Sequence, residues 1–440
     1  MAKVDWPSAD KRTLIGKRVS RVDGPLKTTG VAKYSYDVNR PQMLWAKLVT
    51  SPHAKATVKN IDTSAAEALA GVRAVWKETE PPAVQYCGQI IAAVAADTEE
   101  IGTEAARLVK VQDEIQEHQV DDFDPTLSKD RPTNRAQGNV EEAFAQQDTV
   151  KIEGRYGLPV ITHCCLEPHG QVTEIRDGEL YIWPSTQNVS GYTDRFGDQV
   201  DITQDKMHVE CQHMGGGFGS KFGYDKWGTI GTLLSKQTGR PIKLMLDRDL
   251  EFTTGGNRPS AFANIRVAAQ RDGTLTAIDA EVWGSGGNGG FSPPPVPYVF
   301  SQIPNTRLVG KGIRTNRGGA RAWRAPNHPQ GCLLTMSALD DMAAALRMDS
   351  LEFFLKNLQF TESPPNRPPF APIYAEELKI AADLIGYKDK AHLRGEGGEG
   401  PVKRGLGIAL HTWGGRGHPS ECDLTINQDG SVLARIGSQD

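Results

Sequence analysis

Near the middle of the chain stands the run Cys211-Gln212-His213-Met214-Gly215-Gly216-Gly217-Phe218-Gly219-Ser220-Lys221. Glycine loses more backbone entropy on folding than any other residue. A cluster of glycines therefore suits a place where the backbone turns tightly or approaches another group closely. Successive N–H groups in such a turn can surround an anion or a polar edge, and the plain alternative is a tight turn between packed elements. The spacing excludes two familiar phosphate loops. The glycines and Lys221 are out of register for a P-loop, and no dinucleotide fingerprint is present.

The flanking sequence favours a ligand-contact loop over a surface turn. Val209 and Glu210 lead into the run, a helix is predicted over 225–237 with Gly239 as its stop, and a strand over 241–246. Upstream, Val172–Ile175 and Leu180–Trp183 flank Asp177-Gly178, a hairpin signal. The second strand delivers Pro184-Ser185-Thr186-Gln187-Asn188, so Gln187 stands at a strand end, where side chains often enter a cleft. Its amide donates or accepts a hydrogen bond without bringing charge. A helix is expected to begin over 190–196. Downstream, Arg317, Arg321 and Arg324 crowd a Gly/Pro-bounded stretch just before a helix predicted over 330–346. They read either as a solvated basic patch or as a clamp for an anion or developing negative charge. Trp323 between two of them reads as the wall of an aromatic pocket.

His163, Cys164, Cys165, Glu167 and His169 are all metal-ligating residue types, but their spacing matches no familiar zinc site. They read as ordered core or interface polar groups, with a substrate-channel role as the alternative; Glu167 and His169 fall on one side of an extended segment, able to pair or to face a neighbouring subunit. No protein-ligated metal site is expected. A hydrolase built on Cys164 with His163 or His169 lacks a nucleophile-elbow context.

With 440 residues, the chain is long enough for about three domains. Residues 1–19 form a polar lead-in. Strands and helices alternate over 20–125 as an α/β unit, in which 21–38 reads as two turns and a strand. A linker is expected at 126–139, a second domain at 140–390 with a hairpin on Asp272-Gly273, a linker at 391–403, and strands over 404–411, 420–426 and 431–436 in the final segment 404–440. Net charge is −4, which excludes the basic field of a nucleic-acid binder. No apolar run is long enough to span a bilayer, and the N-terminal residues lack a secretory signal. The expected location is the cytoplasm, with co-export to the periplasm alongside a signal-bearing partner as the alternative. Six cysteines form no C-x-x-C pair, so any iron–sulfur centre is expected on another polypeptide.

Four stretches in this order carry a resemblance: RVDGPLKTTGVAKYSYD, EPHGQV with STQN, MGGGFGSK, and RAWRAPNHPQG. Together the chain resembles the N-terminal part of the molybdenum-cofactor-binding subunit of the xanthine dehydrogenase/aldehyde oxidase family, in its bacterial multi-subunit branch. The resemblance implies an α/β (α+β) fold, with a small a/b-hammerhead-like domain followed by molybdenum-cofactor-binding domains. It implies a molybdenum–pterin cofactor, as molybdopterin or its cytosine dinucleotide, with the metal held by the pterin dithiolene. It also implies 2Fe-2S and FAD groups on partner subunits.

By the same resemblance, Gln187 is a catalytic and cofactor-contacting residue. Gly216, Gly217, Phe218 and Gly219 contact the cofactor, and Arg324 orients substrate beside the metal. Arg321, Trp323 and Phe222 are assigned to the substrate pocket. The implied reaction inserts a water-derived oxygen into the C–H bond of a small aldehyde or N-heteroaromatic. Phe222 stands where purine-oxidising members carry glutamate, which favours aromatic aldehydes or N-heterocycles over xanthine. The family's catalytic glutamate, a general base in a Gly-x-Gly-Glu-like motif, is expected beyond residue 440, on a longer chain or a separate polypeptide. A non-catalytic structural or cofactor-loading paralogue is the competing reading.

Overall fold

Ile90–Ala96 is apolar at every position, without the alternation of a half-exposed strand, and such a run suits a strand covered on both faces. In the computed structural model, which describes residues 7–80, 82–194, 196–363, 368–413 and 422–436, all seven residues are buried. The strand pairs antiparallel with Leu44–Thr50 and Val72–Lys77. Leu44–Thr50 in turn runs parallel to Ile242–Met245, which pairs antiparallel with Gly170–Arg176. Glu179–Pro184 and Met207–Val209 complete a seven-stranded mixed sheet. Residues distant in sequence thus share one sheet. Ala93 and Ala95 pack with Trp227, Ile230 and Leu234 of the helix Lys226–Thr238. Ala92 and Val94 pack with Ala105 of the helix Glu99–Leu108.

A second sheet runs in the order Thr133–Gln137, Asn305–Gly312, Leu275–Gly284, Ala261–Gln270, Thr149–Leu158. The helix His328–Ala345 lies against it, and Leu334, Leu339 and Met342 join Ile265, Val267, Ile278, Phe353 and Phe354 in the largest core. Ala83–Val84, Ala56–Asp62 and Lys110–Ile115 form a three-stranded sheet. Two short ladders remain: Ile161–Thr162 with Asn257–Arg258, and the exposed hairpin Cys422–Ile426 with Val432–Ile436. The architecture is mixed α/β, as expected. Among the described residues, no helix is long and apolar enough to cross a membrane.

Several local expectations are corrected. Residues 21–38 contain the short helix Gly24–Thr28 and a 3-10 turn at Ser35–Asp37 in place of a strand. There the Asp37 carboxylate accepts from Tyr34 N (3.0 Å) and Ser35 Oγ donates to Trp183 O (2.6 Å), so side-chain hydrogen bonds, one local and one to a distant carbonyl, stand in place of a ladder. The helix expected over 190–196 gives way to turns and the helix Gly197–Val200, because the Asn188 side chain accepts from Gly191 N and donates to Phe222 O. The stretch read as a linker at 126–139 includes the sheet strand Thr133–Gln137. No strand forms over 404–411. Its backbone acceptors are taken by side chains instead, Arg404 O by His392 and Leu410 O by Cys332 Sγ. The start of the strand expected at 420–426 and the final residues 437–440 lie outside the described residues.

Leu334 is fully buried between its helix and the second sheet. The substitution Leu334→Ala is expected to destabilise the protein by about 2–5 kcal/mol, read as a lowered urea midpoint with an unchanged m-value.

Candidate functional site

The register of the hairpin Gly170–Arg176/Glu179–Pro184 carries the chain directly to Gln187. Gln187 N donates to Lys221 O (3.0 Å), and its side-chain Oε1 accepts from Gly219 N (2.7 Å) and Lys221 N (3.4 Å). Two backbone donors on one oxygen fix which way the amide faces. The glycines are required by close approach. A Cβ on Gly217 would stand 2.5 Å from Gln187 Oε1, and one on Gly219, at φ +104, would stand 2.5 Å from Ala322 O. Phe218 O accepts from Arg324 N at 2.8 Å. Backbone hydrogen bonds therefore join the glutamine, glycine and arginine segments into one structure.

Beneath the loop, Lys221 is only 1% exposed. Its Nζ donates to Glu167 O (2.8 Å) and Ser185 Oγ (2.6 Å). Ser185 Oγ donates to Glu167 Oε2 (2.8 Å), which also accepts from Gly215 N (2.7 Å). Burial, the largest effect, pushes the Lys221 amine below its ordinary range. Beside it, His169 Nδ1 lies 3.0 Å from both Glu251 carboxylate oxygens, and both residues are buried. Burial pushes Glu251 up, but His169, by hydrogen bond and charge, and Lys221 together outweigh it and hold the carboxyl below its ordinary 4.5. Glu167 and His169 thus take separate partners and do not pair with each other. Among the described residues, no group of three or more His, Cys, Asp or Glu is placed to hold a metal ion.

Above the loop lies a cavity of about 910 Å³. Gln187, Gly216, Gly217, Phe218 and Gly219 line one side, and Phe222, Trp323 and Arg324 line it as well. Phe218 and Phe222 are 44% and 48% exposed, giving the cavity an apolar surface. Arg324 is exposed, and its guanidinium makes no hydrogen bond or ion pair among the described residues. Arg321, expected in the pocket, is not among the lining residues. Its guanidinium donates to Asp225 Oδ2 (2.9 Å) and Ser220 O (2.9 Å) and lies over the Trp227 ring, so it works as a strut behind the loop.

Sequence reasoning missed three lining residues close to the N-terminus, Arg21, Asp23 and Lys27, together with Trp413 from the far end. Asp23 accepts from Arg21 Nε (2.8 Å) and lies 2.7 Å from Lys27 Nζ. The hydrogen bonds of Arg21 and then Lys27 hold its carboxyl well below the usual range. The available signal was Asp23-Gly24-Pro25, a helix start with lysine four residues after the aspartate.

Two outcomes follow from this geometry. Gly219→Ala places a side chain at positive φ against Ala322 O and is expected to cost about 1–3 kcal/mol, read by thermal or urea unfolding. Glu251 contributes stability that is complete above pH 4.5 and is lost as pH falls through its depressed value. Glu251→Gln is therefore expected to flatten the acid limb of a stability–pH curve measured by denaturant titration.

Comparison with known proteins assigns two regions. Residues 127–358 match the family described as molybdopterin cofactor-binding domain. Residues 29–84 match the a/b hammerhead domain of aldehyde oxidase and xanthine dehydrogenase. The chain is 26% identical over 474 residues to the aldehyde oxidoreductase molybdenum-binding subunit PaoC of Escherichia coli (strain K12), covering 100% of this chain and 64% of that protein. It is 29% identical over 473 residues to a probable xanthine dehydrogenase subunit of Bacillus subtilis (strain 168), covering 96% and 61%. The chain thus spans less than two thirds of the length of these relatives. Its fold is shared with CO dehydrogenase from Oligotropha carboxidovorans (TM-score 0.75, 22% identity, 97% of this chain and 63% of that one). It is shared as well with the aldehyde oxidoreductase from Desulfovibrio desulfuricans (TM-score 0.77, 19% identity, 95% and 52%). Because the cofactor-binding family alone matches more than half of the 440 residues, the protein belongs to the molybdopterin cofactor-binding domain family of xanthine dehydrogenase/aldehyde oxidase type.

Proposed function

We propose that this chain is the cofactor-bearing portion of a molybdenum-dependent oxidoreductase that hydroxylates a small aldehyde or N-heteroaromatic. The observation that carries the reading is the single cavity lined jointly by Gln187, the glycine bed 216–219 and Arg324. A molybdenum–pterin group fits that bed. Close packing at Gly217 and Gly219 leaves no room for side chains, so the ligand meets backbone and the polar edge of Gln187. When bound, that group supplies the oxygen-transfer and electron-accepting chemistry.

The roles of the chain's own residues follow. Gln187 offers its amide to a polar ligand of the metal, in an orientation set by Gly219 N and Lys221 N. Arg324 holds the substrate's polar group and stabilises negative charge that develops on it. Phe218 and Phe222 cover the reacting region and exclude water from it. At position 222 a phenyl group offers no hydrogen bond to a purine, which favours an aromatic aldehyde, and the name of the Escherichia coli relative supports an aldehyde substrate.

In this reading, electrons leave to a 2Fe-2S partner subunit and then to an FAD subunit. The remaining length of the family architecture comes from further sequence or a separate polypeptide. The segments 20–125 and 140–390 are the hammerhead and first cofactor-binding domains, with 404–440 opening a second. The assembly is placed in the cytoplasm or is co-exported with a signal-bearing partner.

The complete purified assembly is expected to contain molybdenum and to oxidise aromatic aldehydes with higher kcat/KM than xanthine. Arg324→Ala is expected to keep its metal content and lose about 10²-fold in kcat/KM. Absence of molybdenum in the complete assembly would end this reading. A preference for xanthine would overturn the role given to Phe222, and full activity of Arg324→Ala the role given to Arg324.

A further inference from the structure

The four-residue ladder Ile161–Thr162/Asn257–Arg258 is too small to stabilise a fold by itself, yet together with His163, which follows it, it reaches every residue of the 320–324 loop. Asn257 bridges Ala320 and accepts from Arg321 N at 3.0 Å. His163, which follows the first strand, sets its Nε2 2.8 Å from Ala322 O, and its ring stacks on Trp323 at 4.5 Å and 24°. A carbonyl only accepts, so Nε2 carries the proton. Arg258 Nη2 donates to Arg324 O at 2.8 Å, Nη1 donates to Gln330 Oε1 at 3.1 Å, and the guanidinium carbon lies 5.0 Å from the Trp323 ring centroid.

Arg258 is 5% exposed and, among the described residues, has no carboxylate partner. A buried cation without a counter-charge is costly, and a neutral side chain at this position would avoid that cost. What the planar guanidinium supplies is three fixed contacts at once: a carbonyl, an amide and a ring face. Lysine, with a single ammonium, cannot reproduce this set.

We propose that Arg258, assisted by His163, is a positioning residue of the cavity. It fixes the Trp323 ring and the backbone of Arg324, and thereby sets the direction from which the Arg324 guanidinium, unpartnered among the described residues, enters. Its effect on turnover rests on the function proposed above, whereas its effect on the loop does not. The Arg324 side chain is exposed and makes no hydrogen bond or ion pair among the described residues, so its aim depends on the backbone that carries it, held at N by Phe218 O and at O by Arg258.

The test uses the complete assembly carrying Arg258→Lys, Arg258→Met, His163→Gln or His163→Ala, with Trp323→Phe subtracted to isolate the Trp323 emission. Arg258→Lys and Arg258→Met are expected to red-shift that emission and raise its quenching by iodide. They are expected to lower kcat for an aromatic aldehyde about tenfold or more, at unchanged molybdenum content. His163→Gln keeps a donor for Ala322 O and is expected to lie nearer the unsubstituted protein than His163→Ala. Loss of unfolding stability with unmoved Trp323 emission would show a merely structural Arg258 and overturn the proposal. So would a moved emission with unchanged kcat. If the unsubstituted assembly oxidises no aldehyde, the proposed function fails and the emission decides alone: a shift in both Arg258 variants upholds the loop role, and no shift ends it.

Discussion

A lysine with its ammonium sealed inside the protein holds the site together. Lys221 donates to Ser185 Oγ, Ser185 donates to Glu167, and Glu167 also accepts from Gly215 N. Lys221 Nζ, Ser185 Oγ and Gly215 N each find an acceptor here, whereas Glu167 Oε1 is buried with no partner among the described residues, so the network stiffens the loop through Oε2 and leaves one acceptor unsatisfied. The consequence is geometric. Gly215 and Lys221, which bracket the loop, are fixed on the same two hydrogen-bonded residues, Glu167 and Ser185, so the intervening loop can be nearly devoid of side chains and still keep one shape. Gln187, two residues beyond Ser185, is placed by the same anchor.

The charges around the cavity divide by partner. Lys221 is absorbed beneath the loop, Arg321 is absorbed by Asp225, and Arg21 and Lys27 share Asp23 at the rim. Arg258 is committed to backbone, amide and ring. Arg324 has no side-chain partner among the described residues and lines a cavity with glycine backbone, Gln187, two phenyl rings and the Arg21–Asp23–Lys27 group. An exposed guanidinium without an ion-pair partner is free to meet an incoming negative or polar group.

Much of this was legible because it depends on local rules. The hairpin turns at Asp177-Gly178 and Asp272-Gly273, the cap at Gly239 and the uniformly apolar Ile90–Ala96 each state their structure within a few residues. What failed depended on distant partners. The segment 21–38 alternates like a strand, but Asp37 and Ser35 spend its hydrogen bonds on Tyr34 and on Trp183. Arg321 and Arg324 look equivalent in sequence, three residues apart. Asp225, on another segment, takes one and leaves the other.

By itself the glycine run at 215–219 leaves two readings, a tight turn or a backbone surface that meets something closely; the positive φ of Gly216 and Gly219 and the close approach at Gly217 and Gly219 belong to the folded chain. The order of the glutamine, glycine and arginine stretches says which family the chain belongs to. Tertiary structure alone decided that these stretches share one cavity, that residues from near the N-terminus and Trp413 also line it, and that a short ladder with His163 contacts its arginine loop. The reason is physical. Turns and caps are written in neighbouring residues, whereas a pocket is defined by groups whose proximity only long-range packing creates.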